Sequence, residues 1–573
     1  MEKIVIIGGV AAGPKTACRY KRLKPDSQVT LIDQTTLISY GGCGIPYLIG
    51  GEVSDEQALR STSFNVVRDE DFFIDAKGLE MKTGTRALSI DIKEKTVLVE
   101  NIDSKKQETV PYDKLVLATG SKPNILAIPG TDLKGIFTVG SLRSAIQLQE
   151  WLKTEDVEKA VVIGCGAIGI EMAEGLEDMW GLETTVIEFM PQLLPSLADP
   201  TYSQMLAQHL RENNINVFTS ETVTGLEGDA EGRITKVITN KREFEAQLVV
   251  MATGVKPRDE LARDAGLLVS PRGGVLVNNR LQTSDPNIYA AGDCIEMTSL
   301  VSGAKTFAPL GSLANREGRV VGDNLAGIPS TFDGSVGSFI MKAYDRCIAT
   351  TGLTLEAARA QGFKAEKAVS IQSDRAHFLP TAAEMSITMI FDKNSRRVLG
   401  VQGFGVMGDG VMARINAAAA LLTKKALIED FSNLELAYAP PFSTAMDILN
   451  VAANIADNIA QRRLRFLDML EFVQWMENPD MHPDWMVLDV RSESDSRPFT
   501  EKFGDRWITI PYPQMRKRYQ EAPKDKKLII VCGAGPRSYE VQNFLDTTDY
   551  VNTLVLAGGL MVLRQLGLDW IPA

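Results

Sequence analysis

Two stretches of this chain follow one pattern: an apolar strand, a glycine-rich turn, a helix, and a second apolar strand ending on an acid. In the first, Lys3–Ile7 runs into Gly8-Gly9-Val10-Ala11-Ala12-Gly13, a helix extends to about Lys24, and the strand Gln28–Ile32 ends at Asp33. In the second, Ala160–Ile163 runs into Gly164-Cys165-Gly166-Ala167-Ile168-Gly169, a helix extends to about Trp180, and Thr184–Ile187 ends at Glu188. Units of this kind bind dinucleotides. Small residues let the backbone approach a pyrophosphate, the helix N-terminus presents unpaired N–H groups, and the acid bonds a ribose hydroxyl. The second loop has the full glycine pattern, whereas Val10 occupies the usual second glycine of the first. A carboxylate at Glu188 would repel a 2′-phosphate, so the second unit is expected to prefer NADH to NADPH.

Further elements follow the same logic. Tyr112–Gly120 (YDKLVLATG) is an apolar strand closing on a small-residue turn, and Leu248–Gly254 (LVVMATG) repeats it within the second unit. Ile288–Asp293 (IYAAGD) is a strand with an acid at its carboxyl end. From about Leu325 the pattern changes to strands such as Met385–Phe391 and the Ala-rich helix Ala413–Leu422. Residues Thr444–Leu470 read as one helix, with the basic stretch Gln461–Arg465 inside it. The strand Met486–Val490 and the loop Cys532–Ser538 announce a last α/β segment.

A chain of 573 residues is too long for one hydrophobic core. Its net charge of −12 lacks the basic footprint of a nucleic-acid binder. No apolar run reaches membrane-span length, and Met1-Glu2-Lys3-Ile4 enters a strand at once, so the expectation is a cytoplasmic protein without a membrane span. Six cysteines in so long a chain are not a disulfide framework. Four of them (Cys18, Cys165, Cys294 and Cys347) sit in apolar or turn contexts and read as structural.

Cys43 differs. In Ser39-Tyr40-Gly41-Gly42-Cys43-Gly44-Ile45-Pro46, glycines strip bulk from the thiol, and Pro46 suits the first turn of a helix whose N-terminus favours a thiolate. Lys15, Arg19 and Arg22 recur at i, i+4, i+7 and share one helix face, either as a solvated surface or as a cradle for phosphates. Cys532 follows the apolar strand Leu528–Val531 and opens Cys532-Gly533-Ala534-Gly535-Pro536-Arg537-Ser538. Successive N–H groups there would form an anion-binding nest, and Arg537 adds charge.

The order of the two glycine motifs, their ATG-like turns and the Gly292-Asp293 pair resembles the two-dinucleotide-fold flavin disulfide reductases over about residues 1–450. The resemblance implies FAD on the first unit (Gly8, Ala11, Ala12, Gly13, Asp33, Gly120, Asp293 and Ala308) and NADH on the second (Gly164, Gly166, Gly169, Glu188 and Gly254). It implies that a helix starting near Ala308 points its N-terminus at the flavin. Where such enzymes carry a second cysteine, this chain has Leu48, so Cys43 would cycle through a mixed disulfide, persulfide or sulfenic acid. Relatives with a single cysteine include coenzyme A-disulfide reductases, NADH oxidases and NADH peroxidases. Likeness to the first places Lys15, Arg19, Arg22, Ser39 and Gly42 at coenzyme A positions. Leu436–Ser443 (LAYAPPFS) resembles the segment these homodimers extend to the partner's site, with Tyr438 bonding the reacting sulfur. Two departures bear on coenzyme A disulfide as substrate: Phe378-Leu379-Pro380 replaces Tyr-Tyr-Pro, and Met446 replaces a common lysine. His377 is a candidate replacement proton donor. The loop from Cys532 to Ser538 and Leu488-Asp489-Val490-Arg491 resemble single-domain rhodaneses.

The expected fold class is therefore α/β, with two Rossmann-like dinucleotide-binding domains, an α+β dimerisation domain and a C-terminal α/β rhodanese domain. The expected boundaries are 1–148 and 279–324 for FAD, 149–278 for NADH, 325–445 for dimerisation, 446–468 for a helical linker and 469–573 for the rhodanese-like domain. The catalytic candidates are Cys43, Cys532, Tyr438 and Arg537, with no metal. The expected reaction is NADH- and FAD-dependent reduction of a persulfide, a polysulfide or coenzyme A disulfide. The rivals are an oxidase or peroxidase working through a Cys43 sulfenic acid, and a thiosulfate-type sulfurtransferase.

Overall fold

The computed structural model describes residues 1–572, which gather into two compact units: Met1–Pro191 with Asn214–Ser335, and Gln192–Asn213 with the described residues from Val336 onward.

The first unit holds two five-stranded sheets. In one, the spatial order is Ile288–Ala290, Lys114–Leu117, Lys3–Ile7, Gln28–Ile32 and Glu80–Lys82, all parallel. In the other it is Asn216–Phe218, Glu183–Ile187, Lys159–Ile163, Leu248–Met251 and Ile136–Thr138, again parallel. The central strands are near-continuous Val/Ile/Leu runs because a parallel sheet is buried on both faces. Ile4, Ile6, Leu31 and Val116 are each wholly enclosed. Four helices bear on the site: α1 (Ala12–Leu23), α2 (Ile45–Ile49), α3 (Ala167–Asp178) and α4 (Gly311–Leu325). α1 and α4 cross closely at two glycines. A Cβ on Gly318 would stand 3.0 Å from the Cβ of Lys15, and one on Gly322 2.8 Å from the Cβ of Arg19.

The second unit contains an antiparallel sheet ordered Phe339–Ala343, Arg346–Gly352, Val398–Val406, Glu384–Asp392 and Ala365–Ser373. The helix Pro200–Glu212 belongs to this unit, with Tyr202 buried against Phe404. Helix α5 (Asp409–Leu422) also packs on the sheet. The C-terminal residues form a parallel sheet ordered Phe466–Leu467, Thr553–Leu556, Lys527–Val531, Trp485–Asp489 and Trp507–Thr509.

The single helix expected over 444–470 is instead broken into pieces. α6 (Ile448–Ala460) starts where Asp447 accepts the Leu449 N–H, and Arg462 then takes a left-handed φ of 58°. Phe466–Leu467 joins the C-terminal sheet, and Asp468 caps the next helix, Met469–Glu477. α6 is no free tether either. Ile448, Leu449, Ala452, Ala453 and Ala456 are buried, and the helix packs on Ala365–Ser373 and Glu384–Asp392. Its apolar residues recur at helical spacing because they form a packed face. Among the described residues, no helix is long and apolar enough to cross a membrane.

Candidate active site

Both glycine loops adopt one geometry. Gly8 and Gly164 have φ of 117° and 101°, and a Cβ on either would collide with a carbonyl oxygen, that of Ala118 at 2.0 Å or of Ala252 at 2.5 Å. Only glycine fits such a position. The strand-end acids then brace the loops. Asp33 Oδ2 accepts the Gly9 N–H at 2.7 Å, and Glu188 Oε2 accepts the Cys165 N–H at 2.8 Å. The second oxygens of both acids accept the Thr35 and Met190 N–H groups.

These residues fit two dinucleotides. α1 and α3 begin without a side-chain cap or an acid in the first turn, so their leading N–H groups stay available to an anion. A Cβ on Gly166 would meet nothing within 4 Å, which leaves open space before α3. The two ATG-like turns come together as well. Arg258 N–H bonds the Gly120 carbonyl, Asn124 N–H bonds that of Gly254, and the strands between them pair.

Asp293 follows the strand Ile288–Ala290 and accepts the Ser121 hydroxyl at 3.1 Å, and burial pushes its carboxyl up. Behind it, Gly292 N–H donates to Oε2 of Glu317 at 2.7 Å. Glu317, on α4, is fully enclosed, and burial raises its pKa to about 7. No sequence signal marked this residue, since a glutamate inside a helix is ordinarily solvated. Ala308 precedes α4, whose first residue is Gly311.

Cys43 lies in a short turn, Gly42–Gly44, directly before α2, with Pro46 in the first turn. It is exposed, and its sulfur is 3.7 Å from the position a Cβ on Gly311 would take, so α4 starts beside the thiol. Ser39 is buried with φ of 51° and donates its N–H to the Gly9 carbonyl, tying this segment to the first glycine loop. Leu48 is buried and all six cysteines are free. Burial pushes the thiols of Cys18, Cys165, Cys294 and Cys347 up, which suits their reading as packed residues.

The basic stripe is modified by packing. Arg19 pairs with Asp323 of α4 at 2.6 Å, while burial pushes the Cys18 thiol up against the opposing charges of Lys77, Arg22 and Lys15. Lys77, 4.7 Å above the Phe72 ring, joins the cluster only through the fold.

In the second unit, Tyr438 and His377 are exposed. Cys532 is buried at the end of Lys527–Val531, and its sulfur accepts the Gly535 N–H at 3.1 Å. Helix α7 (Pro536–Leu545) starts at once, with exposed Arg537 in its first turn. The start of α8 (Gly559–Arg564) holds the loop from behind. Leu560 and Met561 donate N–H groups to the carbonyls of Cys532 and Gly533, both at 2.9 Å.

Known proteins share this arrangement. Residues 2–308 match the model of the pyridine nucleotide-disulphide oxidoreductase family, and 342–449 match that of its dimerisation domain. The NAD(P)H coenzyme A polysulfide/persulfide reductase of Pyrococcus horikoshii is 34% identical over 454 residues, covering 79% of this chain and 98% of the relative. The solved structure of an NAD-dependent persulfide reductase from A. fulgidus is 35% identical with a TM-score of 0.91, covering 98% of this chain and 99% of that one. That of reduced Bacillus anthracis CoADR-RHD is 30% identical with a TM-score of 0.90, covering 98% of both. This chain belongs to the pyridine nucleotide-disulphide oxidoreductase family and is a flavoprotein oxidoreductase that uses FAD and a pyridine nucleotide.

Proposed function

We propose that this protein reduces persulfides and polysulfides, coenzyme A persulfide among them, with NADH through FAD and Cys43. In this reading Cys532 of a rhodanese-like C-terminal domain carries the sulfane sulfur. The observation that carries it is Cys43: an exposed, free thiol beside the start of a 15-residue helix, with a buried leucine where a resolving cysteine would stand. Such a thiol is free to attack sulfur held by another molecule. The names of the persulfide reductases reported above support the substrate class, and the solved A. fulgidus persulfide reductase, which covers 98% of this chain, supports a role for the C-terminal residues.

Residues 1–148 with 279–324 bind FAD and residues 149–278 bind NADH, through the residues assigned above. Residues 325–445 form the homodimer, and residues 469–573 the rhodanese-like domain. Bound nicotinamide and flavin supply hydride and electron transfer. Asp293 holds the flavin ribityl chain, and Glu188 selects NADH. Lys15, Arg22 and Lys77 meet the phosphates of coenzyme A, with Arg19, Ser39 and Gly42 beside them. Cys43 attacks a sulfur of the persulfide and the S–S bond breaks. The products are either hydrosulfide and a mixed disulfide on Cys43, or the free thiolate and a Cys43 persulfide. Two electrons then break the remaining S–S bond, returning Cys43 to the thiolate and releasing the coenzyme A thiol from the mixed disulfide or hydrosulfide from the persulfide, with Tyr438 of the partner subunit hydrogen-bonded to the reacting sulfur. Cys532, with Arg537 at its loop, holds incoming sulfane sulfur as a persulfide.

The test compares NADH consumption on polysulfide, coenzyme A persulfide, coenzyme A disulfide and peroxide in wild type, Cys43→Ser and Cys532→Ser. The expected result is sulfide release that requires Cys43. Turnover on peroxide alone would overturn the reading in favour of an oxidase or peroxidase.

A further inference from the structure

Tyr438 sits in a stretch, residues 434–447, without helix or strand, and is 52% exposed. An irregular exposed segment does not by itself hold a hydroxyl within hydrogen-bond tolerance of a reacting atom, because ordering it costs conformational entropy. The structure supplies an anchor. Arg414 of α5 is 6% exposed, and its Nη2 donates to Ser443 Oγ at 2.9 Å and to Asp447 Oδ2 at 2.7 Å. Its Nε donates to the same carboxylate at 3.0 Å, Nη1 donates to the Gly410 carbonyl, and Nη2 also lies 3.4 Å from that of Asp374. Ser443 Oγ donates in turn to Asp447 Oδ2 at 2.8 Å, while Asp447 Oδ1 caps α6. Nearby, Ala376 N–H bonds the Pro440 carbonyl, and Gln372 reaches Thr444 Oγ1. A buried ion pair contributes little net stability compared with apolar packing, so its value here lies in geometry.

We propose that Arg414, Ser443 and Asp447 form a buried clamp whose role is to position Tyr438 for the sulfur chemistry, an inference that rests on the reading of Tyr438 above. All three are positioning residues. Ser443→Ala removes one arm of the clamp and leaves the Arg414–Asp447 pair in place.

The test uses anaerobic stopped-flow on the full-length holoenzyme, following flavin reduction by NADH and then reoxidation by coenzyme A persulfide. The expected result is that Ser443→Ala slows reoxidation roughly ten-fold, as misplacement of a reacting group does, while flavin reduction by NADH stays as in wild type. In a Tyr438→Phe background the same substitution is expected to add nothing. The clamp is overturned if Tyr438→Phe slows reoxidation and Ser443→Ala does not, if the two effects multiply, or if Ser443→Ala slows flavin reduction equally. If Tyr438→Phe leaves reoxidation unchanged, the Tyr438 reading fails and the clamp's function fails with it.

Discussion

Cys43 and Gly311 face each other with room for little more than a methyl group between them: a Cβ on Gly311 would stand 3.7 Å from the sulfur. The start of α4 is thus kept bare beside the thiol. Gly311→Val puts branched carbon into that space. Alkylation of Cys43 by iodoacetamide and NADH-dependent persulfide turnover are both expected to fall on the order of ten-fold, the usual cost of displacing a near-attack geometry. Unchanged alkylation would show that the space is not on the thiol's path.

Glu188 is 4% exposed and accepts two backbone N–H groups, from Cys165 and Met190. On the proposed reading Glu188→Ala removes the repulsion of a 2′-phosphate, and it strands both donors. The ratio of kcat/KM for NADPH over NADH is expected to rise roughly ten-fold or more. Unfolding free energy should fall by about 1–3 kcal/mol because buried donors lose their acceptor. Urea titration and steady-state kinetics measure the two effects separately.

Glu317 carries a pH signature. Burial raises its pKa to about 7 from the ordinary 4.5. Between these values the unfolded chain has lost the proton that the folded chain keeps, so this group's contribution is whole below the lower value and is lost as pH rises to the upper one. Glu317→Gln keeps an acceptor for the Gly292 N–H and cannot ionise. The mutant's stability relative to wild type is expected to climb across that window by up to about 3 kcal/mol and then level off. A flat difference in urea unfolding from pH 5 to 8 would contradict the assignment.

Gly559 closes the Cys532 loop. It has φ of 64°, and a Cβ there would sit 2.4 Å from the Gly533 oxygen and 2.7 Å from the Cys532 oxygen. Gly559→Ala is therefore expected to abolish the one-sulfur mass gain of Cys532 after thiosulfate treatment, while reduction of the flavin by NADH stays as in wild type. Retained loading would mean that the loop tolerates the displacement.

The strands Lys3–Ile7 and Gln28–Ile32 lie where the apolar runs placed them, and the glycine loops, Asp33 and Glu188 stand together as their spacing implied. Local pattern sufficed there because a strand, a tight turn and a helix N-terminus are specified within about thirty residues. The stretch over 444–470 was less legible. Its apolar periodicity marked a helix, but the cap at Asp447 and the left-handed Arg462 that bound it were not distinguished from continuing helix.

Cys43 stood out in the sequence because a cysteine between glycines, before Ile-Pro, with a leucine where a partner would be, has few structural uses. The chain alone marked that, along with two nucleotide-binding units and the loop that opens at Cys532. Tertiary structure alone decided what meets the marked segments: Gly311 beside Cys43, the charge of Lys77 acting on Cys18, Glu317 bonded to the Gly292 N–H, and Arg414 bonded to Ser443. Each of these neighbours is remote in sequence and carries no motif. Contact across a helix crossing or a sheet face depends on packing, which no local window of residues encodes.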